Sequence, residues 1–252
     1  MHLTWFDANS WLFELGQQRV LVDPWLIGPL VFGNLPWFFI GKRPKQHAIP
    51  DNIDLILLSQ GLPDHAHPPT LAQFDRSIPV VASASAAKVV KKLGYTQVTT
   101  LVPEQTHVVA DRLEIRALPG ALLGPQQREN GYLLKQLDSN TTLYYEPHGF
   151  YPSSLHRYAP VDVAINPIIT LQLPLLGPII QGNQKALDLA QLLQPKTWLP
   201  TASGGTVIYE GLLAKALQMV GTIPEFRAGL IQKQLQTQVI EPIPGERVVL
   251  QM

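Results

Sequence analysis

Asp64 and His65 stand in the run S-Q-G-L-P-D-H-A-H (residues 59–67), directly after the apolar stretch I-D-L-I-L-L. A carboxylate beside an imidazole at the mouth of a buried strand reads as half of a divalent-metal site, because both groups offer N or O lone pairs. The structural alternative is an Asp that caps backbone N–H groups ahead of P-P-T-L, next to a buried, hydrogen-bonded His. A serine hydrolase built on Ser59, Ser203 and His148 has little support. Nothing resembles G-x-S-x-G, and Gly204-Gly205 reads as a tight turn.

The elements that must position these residues are mostly strands. L-T-W-F-D, S-W-L-F-E-L and R-V-L-V-D-P give three short β-runs within the first 24 residues, and residues 53–58 read as a strand buried on both faces. Further strands are expected at 98–101, 112–118, 131–137, 141–145, 161–166, 196–199, 238–241 and 247–250. Helices are expected over 83–93, ended by Gly94, and over 183–193 and 206–220. Strands first, then strands mixed with helices in both halves, point to an α/β fold of two sheets covered by helices, a four-layer arrangement. No composition shift marks a linker, so residues 1–252 read as one domain.

The composition narrows the function classes. The 252 residues are 46% hydrophobic and 15% charged, which suits a sizeable core. Lys+Arg and Asp+Glu balance at 19 each, without the basic excess of a nucleic-acid binder. The chain has no cysteine, so any metal must be held by His, Asp, Glu, backbone or water. The N-terminus has no basic n-region or cleavage site, and no run reaches the about 18 apolar residues that span a bilayer. The expectation is a cytoplasmic protein with no transmembrane segment.

The succession V-L-V-D-P-W-L, then I-D-L-I-L-L-S-x-x-x-x-D-H, then L-Y-Y-E-P-H-G resembles the metallo-β-lactamase superfamily. The resemblance is to the branch of ascorbate-phosphate lactonases and N-acylphosphatidylethanolamine phospholipase D, and it covers residues 3 to about 205. The two motif strings also resemble a branch found in cyanobacteria and plastid-bearing organisms. The resemblance implies an αββα sandwich with metal-binding loops at one edge of its sheets, and hydrolytic chemistry in which metals acidify a water and polarise a carbonyl or phosphoryl oxygen.

It also implies a degenerate site. Against the family's [ST]-H-x-H-x-D-H, Gln60 and Leu62 stand where two metal histidines belong, while Asp64 and His65 match. Ala121, Pro147 and Thr201 or Ala202 take the other ligand positions. If the family topology holds, Asp64, His65, Glu146 and His148, with His67 nearby, share one edge and could hold one Zn²⁺, Mn²⁺ or Fe²⁺. Asp64 and His65 are then the catalytic candidates. Asp23 matches a family Asp near the same edge, either supporting a ligand or ending a strand before proline.

Two apolar segments, 25–40 and 168–180, are implied to flank that edge. Trp25, Trp37 and Phe38, with Gln60, are the substrate-binding candidates. The segments could meet a small-molecule or lipid-like ligand, or bury one another or a second copy in a homo-oligomer. Lys42, Arg43 and Lys45 follow the first segment, as a solvated loop end or a contact to phospholipid head groups. Two functions remain open: a metal-dependent hydrolase of an ester, lactone or phosphodiester bond, and a catalytically silent binding or assembly protein that uses the apolar segments.

Overall fold

Along the strand Trp11–Leu15, Trp11, Phe13 and Leu15 join one buried cluster and Leu12 joins another. Side chains alternate across a pleated strand, so an apolar run with no polar gaps must be covered on both faces. The same division holds in Leu55–Leu58, where Leu55 and Leu57 face one core and Ile56 and Leu58 the other. In the second half, Tyr145 faces the first of these clusters and Tyr144 a third.

These clusters are the layers of the fold in the computed structural model, which describes residues 1–123, 127–174, 177–202 and 205–251. One seven-stranded sheet runs in the order Arg247–Val249, His2–Trp5, Trp11–Leu15, Gln18–Val22, Leu55–Leu58, Val80–Ala82, Val98–Thr100. The other runs Gln238–Val239, Thr197–Pro200, Val163–Asn166, Thr142–Tyr145, Gln127–Gln136, Leu113–Leu123, Thr106–Val109. Residues of both sheets share the central cluster. The helix Ala84–Lys92 covers the outer face of the first sheet, and Gln184–Leu193 with Ile223–Gln232 cover the second. This is the expected αββα order. No helix among the described residues is long and apolar enough to cross a membrane.

Each sheet is part antiparallel and part parallel. The polar residues of interest follow directly on strands of the parallel parts. Asp23 follows Gln18–Val22, Ser59 and Gln60 follow Leu55–Leu58, Glu146 follows Thr142–Tyr145, and Thr201 follows Thr197–Pro200. Parallel strands deliver their C-terminal ends to one edge, which gathers these loops.

One expectation is corrected. Residues 206–220 are not one helix: they form the strand Ile208–Glu210, the short helix Leu212–Ala216 and the strand Gln218–Val220. Gly211 interrupts them with φ +109°, and a Cβ there would lie 2.5 Å from the Phe38 carbonyl oxygen. Of the alternatives for the apolar segment 25–40, burial against 168–180 is not seen among the described residues. Trp25, Leu30 and Phe39 cluster instead with Val207, Leu213, Ala214 and Leu217. Within 168–180, residues 175–176 lie outside the described residues, and Thr170–Leu173 pairs with Gly177–Ile180 and Gln218–Val220.

Candidate metal centre

His65 is fully buried, with a carboxylate at each ring nitrogen. Its Nδ1 lies 2.8 Å from Asp23 Oδ2 and its Nε2 3.2 Å from Asp64 Oδ2. Asp23 sits in left-handed backbone, φ 42°, just before Pro24. Its carboxylate also accepts from Ser59 N at 2.7 Å, Ser59 Oγ at 2.5 Å and Tyr145 OH at 2.7 Å. A carboxylate so restrained fixes the imidazole that it holds.

His148 approaches from the other sheet, its ring centroid 4.9 Å from that of His65. Gln60 Nε2 lies 3.2 Å from both nitrogens of His148. Asp64, His65 and His148 each offer a ligand atom, all within 4.8 Å of one another. Asp64 Oδ1 and Gln60 Oε1 are buried beside them with no hydrogen-bond partner. A buried oxygen acceptor without a donor is costly, so the cluster fits a divalent cation of the kind that takes mixed N/O ligands.

The electrostatics separate the two histidines. Burial works against charge on His65, but the carboxylates of Asp64 and Asp23 outweigh it and raise its pKa to about 10. Burial and the neighbouring His65 charge push His148 down to about 3, so His148 keeps its lone pairs. Asp64 is held below the usual carboxylate range, because His65 overcomes the opposing effect of burial.

Other expected ligands stand outside the cluster. Glu146 turns its Oε2 to the backbone N–H groups of His148 and Phe150, at 3.1 and 2.8 Å. Burial raises its pKa to about 8 despite those bonds. His67 Nδ1 pairs with Thr70 Oγ1 at 2.9 Å, and its ring packs against Trp25. Among the substrate-binding candidates, Trp25 is completely buried, with the Arg43 guanidinium 4.2 Å over its ring, so it offers no open face. Trp37, 62% exposed, and Phe38 meet edge to face at the surface. Thr201 is buried and bonded to Trp11, Ala8 and Asn9. Ser59 Oγ is committed to Asp23 and His65, and Ser203 lies outside the described residues.

Four residues near the site were not among the site candidates. Asn9 Nδ2 reaches His65 Nε2 at 3.4 Å, and Tyr145 bridges Asp23 and the Asn9 carbonyl. Arg43 is buried beside Asp7, and Tyr209 stacks on Phe39. Tyr145 had a signal in L-Y-Y-E-P-H-G, an inward position on a strand that ends at the site, and Asn9 one in N-S-W.

The sequence profile described as "Beta-lactamase superfamily domain" matches residues 2–202. No curated protein matches the chain. Igni18, a metallo hydrolase from the archaeon Ignicoccus hospitalis, is similar at TM-score 0.73 and 17% identity, over 100% of this chain and 98% of its own. An isothiocyanate hydrolase from Delia radicum gut bacteria is similar at TM-score 0.72 and 16% identity, over 99% of each chain. CmlA, a diiron beta-hydroxylase from Streptomyces venezuelae, is similar at TM-score 0.68 and 16% identity, over 100% of this chain and 54% of its own. At these identities the likeness is one of fold, and together with the profile it establishes that the chain belongs to the metallo-β-lactamase-fold superfamily.

Proposed function

We propose that this chain is a single-metal hydrolase acting on an ester, lactone or phosphodiester bond, its cation held by Asp64, His65 and His148. The Gln60 carbonyl completes the set. The observation that carries this reading is the pair of partnerless buried oxygens, Asp64 Oδ1 and Gln60 Oε1, next to a histidine that stays neutral. A divalent ion there would polarise the scissile oxygen and acidify a water. The chain's own groups do the positioning. Asp23 keeps a proton on His65 Nδ1 and so turns Nε2 toward the cluster, while Ser59 and Tyr145 hold Asp23. Among the described residues Asp64, His65 and His148 form the one group that could hold a metal ion, so one ion rather than two is expected. Leu35, Trp37 and Phe38, exposed in the segment 25–40, suit an apolar portion of the substrate.

Elemental analysis of protein purified without chelators tests this. About one equivalent of zinc, manganese or iron is expected, falling in His148→Ala and Asp64→Asn. Less than about a tenth of an equivalent would sink the reading, given the tight binding of established sites.

One observation favours a second reading, a catalytically silent binding or assembly protein. His65 finds a carboxylate for each of its N–H groups inside the protein and needs no metal to be satisfied. Metal-free protein with unchanged stability after chelation would select that reading.

A further inference from the structure

The side chain of Arg43 is 1% exposed, and its donors are only half used. Nη1 donates to the Phe6 carbonyl at 2.8 Å and to Asp7 Oδ2 at 3.2 Å. Nε and Nη2 are buried with no partner. These two atoms form one edge of the guanidinium, the edge whose parallel N–H groups match the two oxygens of a carboxylate or phosphate.

The surroundings hold that edge in place. Trp25 covers a face of the guanidinium at 4.2 Å. Asp7, which anchors Nη1, is itself held by His47 Nε2 at 3.3 Å and by Thr206 N and Oγ1, each at 2.9 Å. The anchor is therefore rigid, and the free edge has a fixed aim. A cleft of about 300 Å³ adjoins Arg43, lined by Gly28, Pro29, Lys42 and Gln46 as well. Burying two unpaired donors of a cation is costly, more so than for a neutral group. A site that keeps them in a fixed fork beside a cleft has the form of a receptor for an anion.

We propose that the Nε–Nη2 edge of Arg43 binds an oxyanion, the carboxylate or phosphate group of a small ligand, entering through the cleft beside Lys42 and Gln46. Neither nitrogen is reached by bulk water in the free protein, so binding includes a local shift of the exposed residues 44–46. The anion is thereby taken out of water as it is paired, which strengthens each charge-assisted bond. Arg43 is not one of the metal-ligand candidates, and binding is expected with or without a cation at Asp64, His65 and His148.

Titration of the metal-free full chain with inorganic phosphate and, separately, acetate tests the proposal, with chloride at matched ionic strength as the reference. Calorimetry and the midpoint of thermal unfolding report binding. Saturable binding of phosphate, acetate or both, absent with chloride, is expected, and the tighter arm identifies the anion. Arg43→Lys keeps the charge but loses the fork, so affinity should drop at least about tenfold. Gln46→Ala, at the exposed mouth, covers the case in which the Arg43 variant fails to fold, and it should weaken binding by a smaller factor. A wild-type chain that answers phosphate and acetate no more than chloride overturns the proposal, as does unchanged affinity in a folded Arg43→Lys protein.

Discussion

The imidazole rings of His65 and His148 stand 4.9 Å apart, and their surroundings drive them to opposite protonation states. His65 lies between two carboxylates and holds its proton up to about 10; among the described residues no carboxylate hydrogen-bonds the His148 ring, which stays neutral down to about 3. In the proposed cation site the pair would divide the work. One ring presents lone pairs at any physiological pH, and the other must give up a proton first.

That division sets the pH dependence of metal binding. A cation taking His65 Nε2 displaces the proton shared with Asp64, so affinity should rise by about tenfold per pH unit while His65 remains protonated in the free protein. Zinc affinity measured against a competing chelator between about pH 6.5 and 8.5 gives the slope. A flat profile would show that His65 does not change protonation on binding.

Asp23 acts on the cluster only through His65. Asp23→Asn swaps an obligate acceptor for an amide that can also donate, and so releases the Nδ1 proton and ring orientation. Metal affinity should fall about 10- to 100-fold, with Asp64 and His148 still in place. Tyr145→Phe removes one donor from the same carboxylate and should cost about 1–3 kcal/mol in chemical denaturation. If both variants bind metal as the wild type does, Asp23 serves the fold and not the site.

Much of this was legible in the sequence, for identifiable reasons. The strands at residues 2–22 and 142–166 announce themselves as short apolar runs, and Asp64-His65 by a local motif. The helix Ile223–Gln232 escaped because G-T-I-P reads as a breaker. In the structure Thr222 caps the helix from Glu225 N, and Pro224 sits in the first turn, where its missing N–H costs nothing. The expected helix at 206–220 gave way because Ile208–Glu210 pairs with Ile40–Lys42, a contact no local pattern encodes. Asn9 and Asp23 reach His65 across 56 and 42 residues, and Tyr145 reaches Asp23 across 122, so the folded sheets bring them together.

Gly149 fixes the loop that carries His148. Its φ is +77°, and a Cβ there would fall 1.6 Å from the Gln181 carbonyl oxygen. Gly149→Ala must therefore move backbone, and a loss of at least about 2 kcal/mol is expected. Gly94 is the control: its φ is +90°, but nothing lies within 4 Å, so alanine costs only the conformational strain of about 1 kcal/mol. Equal losses in the two variants would mean that the 149–181 contact imposes no constraint.

His67 gives the chain an acid limit that is separate from the metal cluster. Burial pushes its pKa to about 4; a hydrogen bond to the Pro29 carbonyl opposes the shift and the Arg43 charge adds to it. In the unfolded chain it titrates near 6.5. Between these values the unfolded state binds more protons than the folded state, so stability falls as pH falls. The contribution is complete above 6.5 and lost below about 4, and the shift corresponds to about 3 kcal/mol. His67→Gln keeps a polar partner for Thr70 and removes the titration. Unfolding free energies of the two proteins should diverge across that window, the wild type losing more as acid is added. Parallel curves from pH 6.5 to 4 would place the acid sensitivity of the fold elsewhere.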